Sequence, residues 1–341
     1  MTYTFVNKCL LFPLYYALKI RHFLFDKGIL KSKKFDIPII SIGNISVGGT
    51  GKTPHTEFLI KEFMPKYKVA VLSRGYGRKT RGFRIVNIND KVSDVGDEPL
   101  QMKKKFENVI VAVCEKRVKG VEALLALPQE ERPTIVLLDD AFQHRWITPT
   151  TNIVLVDSGR PLEEEYLFPV GKLRDLPEQI QRADIIIVTK CPEEISLEDK
   201  FEWEKKLRIG PKQKLLFSTI FYDEPNNIFD EGDRRYIYSK FAILITAIAN
   251  PIPLFYHLLN NYKILGRLQF RDHHNFTSSD VSKINRWAKK WPKAVIYTTE
   301  KDAQRLMTKN ELSENVKQRI FYIPIDVSII NQNENSELKL L

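Results

Sequence analysis

The sequence predicts an α/β fold, with a doubly wound, mainly parallel sheet followed by a second, smaller α/β domain. Short apolar runs rich in Val and Ile alternate with amphipathic stretches. Strands that are apolar throughout are typical of a parallel sheet covered by helices on both faces. The chain has 341 residues, more than one ordinary hydrophobic core accommodates, and a polar, turn-rich break over 222–235 interrupts the alternation.

Apolar runs define the strands predicted for the first domain. They are Ile37–Ile42, Val69–Leu72, Val109–Val113, Ile135–Leu138, Ile153–Val156 and Ile185–Val188. Amphipathic stretches lie between several of them, and Thr56–Met64 and Lys116–Leu127 are predicted helices. In such folds ligands bind beyond the carboxyl ends of the strands.

The alternation restarts beyond the break and predicts the second domain. Its elements are strand Phe241–Ile248, helix Pro253–Tyr262, strand Lys263–Phe270, helix Ser278–Trp291 and strand Ala294–Thr298. The predicted ranges are 1–28 for an N-terminal helix, 29–215 for the first domain, 216–330 for the second and 331–341 for a polar tail.

Charge and cysteine content narrow the functional classes. The formal net charge of +11 indicates either a polyanionic partner or a well-solvated basic surface. Nucleic acid, an anionic membrane and a phosphorylated ligand would each satisfy it. Cys9, Cys114 and Cys191 are widely spaced and have no metal-ligand pattern around them, so neither a disulfide framework nor a zinc site is expected.

The N-terminal segment combines aromatic and basic side chains. From Tyr3 to Phe25 it is rich in Phe, Leu and Tyr, and its longest uncharged stretch is Cys9–Leu18. A bilayer span needs about 20 apolar residues, and no small-residue cleavage site is present. We therefore predict a membrane-associating helix that lies at an interface. A helix that packs on the domain behind it is the alternative.

The strongest local motif is Ser46-Val47-Gly48-Gly49-Thr50-Gly51-Lys52-Thr53-Pro54, directly after the first predicted strand. It matches the Walker A pattern except that Ser46 replaces the first Gly. Glycines let backbone N–H groups surround a phosphate at a helix N-terminus. Lys52 would reach the β- and γ-phosphates, and the Thr53 hydroxyl would bind Mg²⁺. The motif predicts a P-loop NTPase-like fold.

A switch ATPase of the partitioning type is the alternative interpretation of this loop. The string Gly-Gly-x-Gly-Lys-Thr resembles the P-loop of those ATPases, in which a signature Lys precedes the double Gly. Val47 stands at that position here, so the defining residue is missing.

Carboxylates follow a predicted strand, as in a Walker B strand. Ile135–Leu138 continues into Asp139 and Asp140, which would hold Mg²⁺ directly or through water. A strand that ends in Asp is weak evidence alone, because such residues often cap the next element. The continuation Ala141-Phe142-Gln143-His144-Arg145 adds further side chains that can contact a ligand.

Two further clusters suggest acid–base chemistry. Gly96-Asp97-Glu98-Pro99 precedes a helical stretch, so Asp97 is either a helix N-cap or a base that accepts a hydroxyl proton. The pair His273-His274 follows Asp272, and neighbouring residues on a strand point in opposite directions. Only one of the two histidines is therefore expected to face a site.

Taken in order, these strings resemble the tetraacyldisaccharide 4'-kinase family. Further matching strings are Ser41-Ile42-Gly43-Asn44, Ser73-Arg74-Gly75-Tyr76-Gly77-Arg78, Gly171-Lys172-Leu173-Arg174-Asp175, Phe270-Arg271-Asp272-His273-His274 and Thr299-Glu300-Lys301-Asp302-Ala303. The resemblance covers nearly the whole chain, and the departure at Ser46 is the family's own form of the loop.

The resemblance implies ATP- and Mg²⁺-dependent phosphorylation of the 4'-hydroxyl of a lipid-carrying disaccharide 1-phosphate. It implies Asp97 as the base and His273 as its partner from the other domain, which would close over the active site. It also implies roles in three groups: nucleotide contacts by Val47, Gly48, Gly49, Thr50, Gly51, Lys52, Thr53, Pro54, Gln143 and His144; metal contacts by Thr53, Asp139, Asp140 and Glu98; and substrate contacts by Arg74, Tyr76 and Arg174.

The implied partners are ATP, an anionic glycolipid and the membrane interface at the cytoplasmic face of the bacterial inner membrane. No nucleic acid and no obligatory protein partner are expected. The switch ATPase, which would hydrolyse ATP in response to protein or DNA, remains the alternative function.

Overall fold

A computed structural model describes residues 11–160, 162 and 165–330. Its described residues divide into two compact units: those within 11–95, 102–220 and 327–330 form the first, and residues 96–101 and 221–326 form the second. The predicted tail 331–341 and the first ten residues of the predicted N-terminal helix lie outside the described residues.

The first unit is built on a nine-stranded sheet. Its strands, in chain order, are β1 (Ile39–Asn44), β2 (Val69–Ser73), β3 (Arg84–Ile85), β4 (Ile110–Val113), β5 (Ile135–Asp139), β6 (Thr151–Asp157), β7 (Ile185–Thr189), β8 (Lys214–Tyr222) and, after the second sheet, β14 (Ile325–Ile329). The order across the sheet is β14-β8-β7-β6-β1-β5-β2-β4-β3.

This sheet confirms the predicted doubly wound, mainly parallel architecture. The pairings from β8 through β7, β6, β1, β5 and β2 to β4 are all parallel, whereas β3 runs antiparallel to β4. The chain winds outward from β1 in both directions, so β1 lies between β5 and β6. In doubly wound sheets, the crevice at such a reversal is the usual ligand site.

The helices of the first unit connect these strands. They are α1 (Phe12–Asp26), α2 (Lys52–Phe63), α3 (Val92–Val95), α5 (Arg117–Leu125) and α6 (Leu197–Leu207), and α4 (Asp97–Lys105) has its first five residues in the second unit. The strands are buried along their whole length at β1, β2, β5 and β7, because their Ile and Val side chains face helices on both sides.

The second unit has a five-stranded sheet of its own. Its strands are β9 (Asn226–Asn227), β10 (Phe241–Thr246), β11 (Lys263–Gln269), β12 (Val295–Thr299) and β13 (Ile320–Ile323), in the order β11-β10-β12-β13-β9. The helices are α7 (Ile252–Leu259), α8 (Ser278–Lys290), α9 (Glu300–Leu306) and α10 (Glu314–Lys317). The predicted smaller α/β domain is thus present as a fold.

Local sequence explains where its helices begin. The Thr277 hydroxyl accepts a hydrogen bond from the backbone N–H of Asp280, whose carboxylate returns a contact to Thr277, forming a capping box at α8. Val281, Ile284 and Ala288 repeat at helical spacing and face the core. Thr299 caps α9 in the same way through the N–H of Asp302.

The units differ from the predicted ranges 29–215 and 216–330 in three places. The boundary between them lies at 220/221 instead of 215/216, residues 96–101 cluster with the second unit, and residues 327–330 return to the first. The return follows from β14, which joins the large sheet beside β8. No break in composition marks the last two of these places, so the sequence offered no signal for them.

Helix α1 is partly packed and partly exposed. Tyr15, His22 and Phe25 are buried, whereas Ile20 and Phe23 are more than half exposed. The buried His22 contacts the carboxylate of Asp175 at 2.6 Å. Throughout the described residues, every helix is too short or too polar to cross a bilayer. Cys114 and Cys191 are buried free thiols, as expected for small apolar residues, and Cys9 lies outside the described part of the chain.

Candidate active site

The loop between β1 and α2 has the backbone geometry of a phosphate-binding loop. Gly48 and Gly51 have φ angles of 109° and 89°, a region that residues with a side chain rarely adopt. Gly51 is the N-cap of α2, so the loop leads directly into the N-terminus of a 12-residue helix. Backbone N–H groups at such an end attract anions. The predicted strand–loop–helix context of the Walker A string is present.

Three side chains hold this loop in place. The Asn44 amide donates a hydrogen bond to the Thr50 hydroxyl (2.7 Å), and the Thr189 hydroxyl donates one to the Thr50 carbonyl (2.9 Å). His55 Nδ1 lies 2.7 Å from the carbonyl oxygen of Gly51. The loop is therefore fixed from β1, from β7 and from the first turn of α2.

His55 is a buried residue that sequence reasoning missed. A carbonyl oxygen can only accept, so Nδ1 carries the proton and Nε2 accepts from the Ser218 hydroxyl at 2.9 Å. Burial, with a smaller effect of the Lys190 charge, lowers the pKa of His55 to about 4, against the opposing hydrogen bond to Gly51. The imidazole is thus neutral near pH 7, with both nitrogens occupied.

Carboxylates from the end of β5 lie beside the loop. Asp140 accepts a hydrogen bond from Arg174 at 3.0 Å, and Lys52 Nζ lies 3.9 Å from its carboxylate. Burial alone would raise the pKa of Asp140, but the Arg174 hydrogen bond and the charge of Lys52 outweigh it and lower the pKa. Lys52, Asp140 and Arg174 therefore form one charged cluster.

Asp139 is more deeply buried than Asp140. It is 1% exposed and accepts hydrogen bonds from the Thr56 hydroxyl (3.2 Å) and the Ser73 hydroxyl (3.1 Å). Its backbone carbonyl accepts from Arg117. A strand-end carboxylate held by hydroxyls of α2 and β2 has a fixed orientation, which a metal-water network requires.

Gln143 and His144 lie on the loop after β5, where they support the backbone. Gln143 Nε2 donates to the Asn44 carbonyl at 2.7 Å, and His144 Nε2 accepts from the Arg117 N–H at 3.4 Å. Burial, then the charges of Arg117, Arg21 and Arg74, lower the pKa of His144 to about 4. Their predicted contacts to nucleotide stay predictions.

The other residues predicted for this site are partly or largely exposed. Val47 is 45% exposed and Tyr76 is 67% exposed. Thr53 and Pro54 lie in the first turn of α2, whereas Arg74 is exposed just after β2. Within the described residues, no three His, Cys, Asp or Glu side chains converge to hold a metal ion. A magnesium ion here would need oxygen ligands from a nucleotide as well, which is the usual case for Mg²⁺.

A second charged cluster surrounds Asp97. Its Oδ2 accepts hydrogen bonds from Arg305 Nη2 and, at 3.1 Å, from His273 Nδ1, and its Oδ1 accepts from the Glu98 N–H at 3.0 Å. Lys301 Nζ lies 3.9 Å from Oδ2. Burial would raise the pKa of Asp97, but the His273 hydrogen bond and the Lys301 and Arg305 charges hold it well below its usual range. The carboxylate is therefore ionised at neutral pH.

The two histidines of the predicted pair separate as expected. His273 contacts Asp97, whereas His274 contacts Asp280 at 2.8 Å and stacks on Phe270. Glu98 contacts Lys301 at 3.0 Å, and its predicted metal role stays a prediction.

Asp97 and His273 were predicted to come from different domains. In the structure, residues 96–101 cluster with residues 221–326 in one compact unit. The reason is electrostatic, because the first turn of α4 carries Asp97 and Glu98 toward the cations of α9. The pair is complete within one unit.

Lys301 and Arg305 were not assigned a role from the sequence. The only signal for them is their spacing, since residues four apart lie on one face of a helix. The string around Lys301 matched the resemblance, but nothing in it indicated a contact with residues some 200 positions earlier.

Comparison with known proteins shows which family the chain belongs to. The family model for tetraacyldisaccharide-1-P 4'-kinase matches residues 8–341. The chain belongs to this kinase family. A tetraacyldisaccharide 4'-kinase of Phocaeicola vulgatus is 42% identical over 321 residues, covering 92% of this chain and 88% of that protein. Another, of Flavobacterium johnsoniae, is 39% identical over 335 residues, covering 97% and 94%.

A solved structure of a family member has the same fold. LpxK from Aquifex aeolicus, crystallised in complex with ATP, is 27% identical and has a TM-score of 0.70, with 94% of this chain and 93% of that chain covered. The kinase family and the α/β fold are thereby established together.

Proposed function

We propose that this chain transfers the γ-phosphate of ATP to the 4'-hydroxyl of a tetraacyldisaccharide 1-phosphate. The observation that carries the proposal is the phosphate loop with Lys52 beside Asp140, in a chain that matches this kinase family over residues 8–341. Relatives named tetraacyldisaccharide 4'-kinase cover more than nine-tenths of the chain, and a family structure was solved with ATP. The switch ATPase alternative has no comparable support.

The residues of the first unit suit Mg·ATP. Gly48 leaves room for a phosphate, since the one atom within 4 Å of a Cβ built there is Arg160 Nη1, at 3.3 Å. Lys52 would bind the β- and γ-phosphates. Oxygen donors for a magnesium ion are available at Thr53, Asp139 and Asp140, and that ion would neutralise charge on the phosphates.

Asp97 is proposed as the base on the acceptor hydroxyl. As the hydroxyl oxygen bonds to the γ-phosphorus, the bond to the β,γ-bridging oxygen breaks and ADP departs. The hydroxyl proton passes to the Asp97 carboxylate. The carboxylate is ionised at neutral pH, as a proton acceptor must be, and acid–base assistance is in general worth about 10²–10⁴-fold in rate. His273 holds the carboxylate in orientation through its Nδ1–H.

The membrane interface is the proposed working place of the chain. An acyl-chain-bearing acceptor resides in a bilayer, and α1 exposes Phe12, Tyr16, Ile20 and Phe23. Lys19 lies on this helix and Lys27 is its C-cap residue, and both would contact anionic headgroups. We place the chain at the cytoplasmic face of the inner membrane, where ATP is supplied, without a nucleic-acid or obligatory protein partner.

The direct test is transfer of labelled γ-phosphate from Mg·ATP to tetraacyldisaccharide 1-phosphate in detergent micelles. Label at the 4'-position supports the proposal. Asp97→Ala should abolish transfer while the Kd for ATP stays within about twofold, and Asp230→Ala, an exposed carboxylate of the same unit, should behave as wild type. Hydrolysis stimulated by protein or DNA, with no label in the lipid, would contradict the proposal.

A further inference from the structure

Helix α9 presents two cations to the Asp97–His273 pair. Lys301 and Arg305 are four residues apart and so lie on one face of the helix. Arg305 is 6% exposed and Lys301 is mostly buried along its side chain. Long cationic side chains are rarely buried unless they are paired, so Lys301 and Arg305 are expected to be bound to specific partner groups.

Arg305 fixes the carboxylate of Asp97. One nitrogen of its guanidinium donates to Asp97 Oδ2, and Nη1 donates to Asp302 Oδ1 at 3.1 Å. Asp302 is itself fully buried, and its Oδ2 accepts from the Thr299 hydroxyl and the Ala247 N–H, each at 2.8 Å. A planar guanidinium held at both ends has little freedom, so the carboxylate it binds has little freedom either.

Lys301 fixes the imidazole of His273. Its Nζ lies 3.0 Å from His273 Nε2 and 3.0 Å from Glu98 Oε1. An ammonium group can only donate, so Nε2 must accept and the ring proton must sit on Nδ1, which faces Asp97. Two further charged groups face the ring: Asp272 Oδ2 lies 3.8 Å from Nε2, and Arg305 Nη2, which donates to Asp97 Oδ2, lies 3.3 Å from Nδ1. Lys301 thereby selects the tautomer that donates to Asp97.

The backbone at His273 is held by the same helix. His273 has a φ of 59°, a left-handed backbone conformation that residues with a side chain rarely adopt. Its N–H donates to the Ala247 carbonyl at 3.2 Å, and the Ala247 N–H is bound by Asp302 of α9. Strain of this kind persists only where surrounding contacts over-determine it, and here α9 supplies them.

We propose that Lys301 and Arg305 are positioning residues for phosphoryl transfer, acting through His273 and Asp97. This inference rests on the proposed function. Arg305 orients the carboxylate that receives the hydroxyl proton, and Lys301 keeps the histidine in its donating form. Together they also offset the negative charge of Asp97, Glu98 and Asp272, which would otherwise repel an anionic phosphoryl group.

The test compares Lys301→Met, Lys301→Arg and Lys309→Met in the full-length chain, with kcat and both KM values measured for lipid and ATP. Lys309 is a partly exposed lysine three residues beyond α9 and serves as the matched control. We expect Lys301→Met to lower kcat by about 10²-fold, because a small misplacement of reacting groups has that effect, with both KM values within about threefold. Lys301→Arg, which keeps a charged donor, should recover at least tenfold of that loss.

A double-mutant cycle shows whether Lys301 acts through the histidine. In a His273→Ala background, adding Lys301→Met should lower kcat by less than about threefold. Full additivity, equal loss with Met and Arg, or an unchanged kcat in Lys301→Met would each overturn the inference. If Lys301→Met unfolds, as judged by its thermal transition, Lys301→Gln takes its place. A wild-type chain without transfer overturns the proposed function, whereas an active wild type with a fully active Lys301 variant overturns only this inference.

Discussion

The buried His55 makes the stability of the first unit depend on pH. Its side chain is 1% exposed, donates to the Gly51 carbonyl from Nδ1 and accepts from Ser218 at Nε2. Burial lowers its pKa to about 4, whereas an unfolded histidine has a pKa of about 6.5. Between these values the unfolded chain binds a proton that the folded chain excludes. Lowering the pH from 6.5 to 4 therefore reduces the free energy of unfolding.

The size of this effect follows from the two pKa values. One pKa unit corresponds to about 1.36 kcal/mol, so full titration through this window costs about 3 kcal/mol. At pH 5 the pH is still above the folded-state pKa of about 4. The free energy of unfolding therefore falls by only part of that amount between pH 7 and pH 5, about 2 kcal/mol for His55. Because His55 is hydrogen-bonded to Gly51 of the phosphate loop, protonation of His55 is expected to perturb that loop as well.

Urea unfolding of wild type and His55→Gln at pH 7.0 and 5.0 isolates the contribution. Gln can keep a donor toward Gly51 and an acceptor toward Ser218, but it does not titrate. All other groups, including His144, titrate in both proteins and cancel in the difference. We expect wild type to lose about 2 kcal/mol more than His55→Gln over this range. Parallel losses, equal within about 0.5 kcal/mol, would refute the assignment of a neutral buried imidazole.

Three further perturbations test the loop, the packing beneath it and the membrane contact. Gly43→Ala places a Cβ 2.6 Å from the Cβ of Phe142 and 2.8 Å from its backbone nitrogen. Urea unfolding should therefore show a free energy of unfolding lower by about 1–3 kcal/mol. Gly159→Ala is the control, because the nearest atom to a Cβ there is 3.5 Å away. Lys52→Met should weaken Mg·ATP binding by roughly 10- to 100-fold in calorimetry, because a hydrogen bond to a charged group contributes about 1.5–3 kcal/mol. Phe23→Ser should weaken sedimentation with anionic vesicles by roughly tenfold, since burying a Phe side chain contributes about 1.5–3 kcal/mol, and unchanged binding would remove Phe23 from the proposed contact.

Much of the large sheet was predictable because its strands are short and buried on both faces. The apolar runs of β2, β5 and β7 located these strands to within a residue at each end. The observed strands extend one position further, to Ser73, Asp139 and Thr189. Those added residues are polar because they sit at the carboxyl edge, where hydroxyl and carboxylate groups serve the site. A prediction from hydropathy therefore ends these strands one residue too early, before the polar residues at the edge of the site.

Strand β8 was not predicted, for a related reason. Its sequence contains Ser218 and Thr219, both buried, which interrupt the apolar run. Ser218 is buried because its hydroxyl donates to His55, so its burial is explained by a partner 163 positions away. For strand β1 the prediction began two residues too early. The predicted start at Ile37 includes Pro38, which has no N–H to pair, and the observed strand begins at Ile39.

The two halves of the candidate site differ in how far the sequence could predict them. The phosphate loop is local, and a strand, a glycine-rich turn and a helix within a few residues of one another are visible as a string. The Asp97 cluster is not local, because Arg305 is 208 positions from Asp97 and Lys301 is 203 positions from Glu98. Such contacts are fixed by the packing of the second unit, and a single sequence carries no record of which cation meets which carboxylate. Asp97 and His273 are in contact in this structure, and both residues belong to the second unit. Helix α9 orients the pair, because Arg305 binds the carboxylate, Lys301 binds the imidazole, and Asp302 binds the N–H of Ala247, whose carbonyl accepts from the His273 N–H.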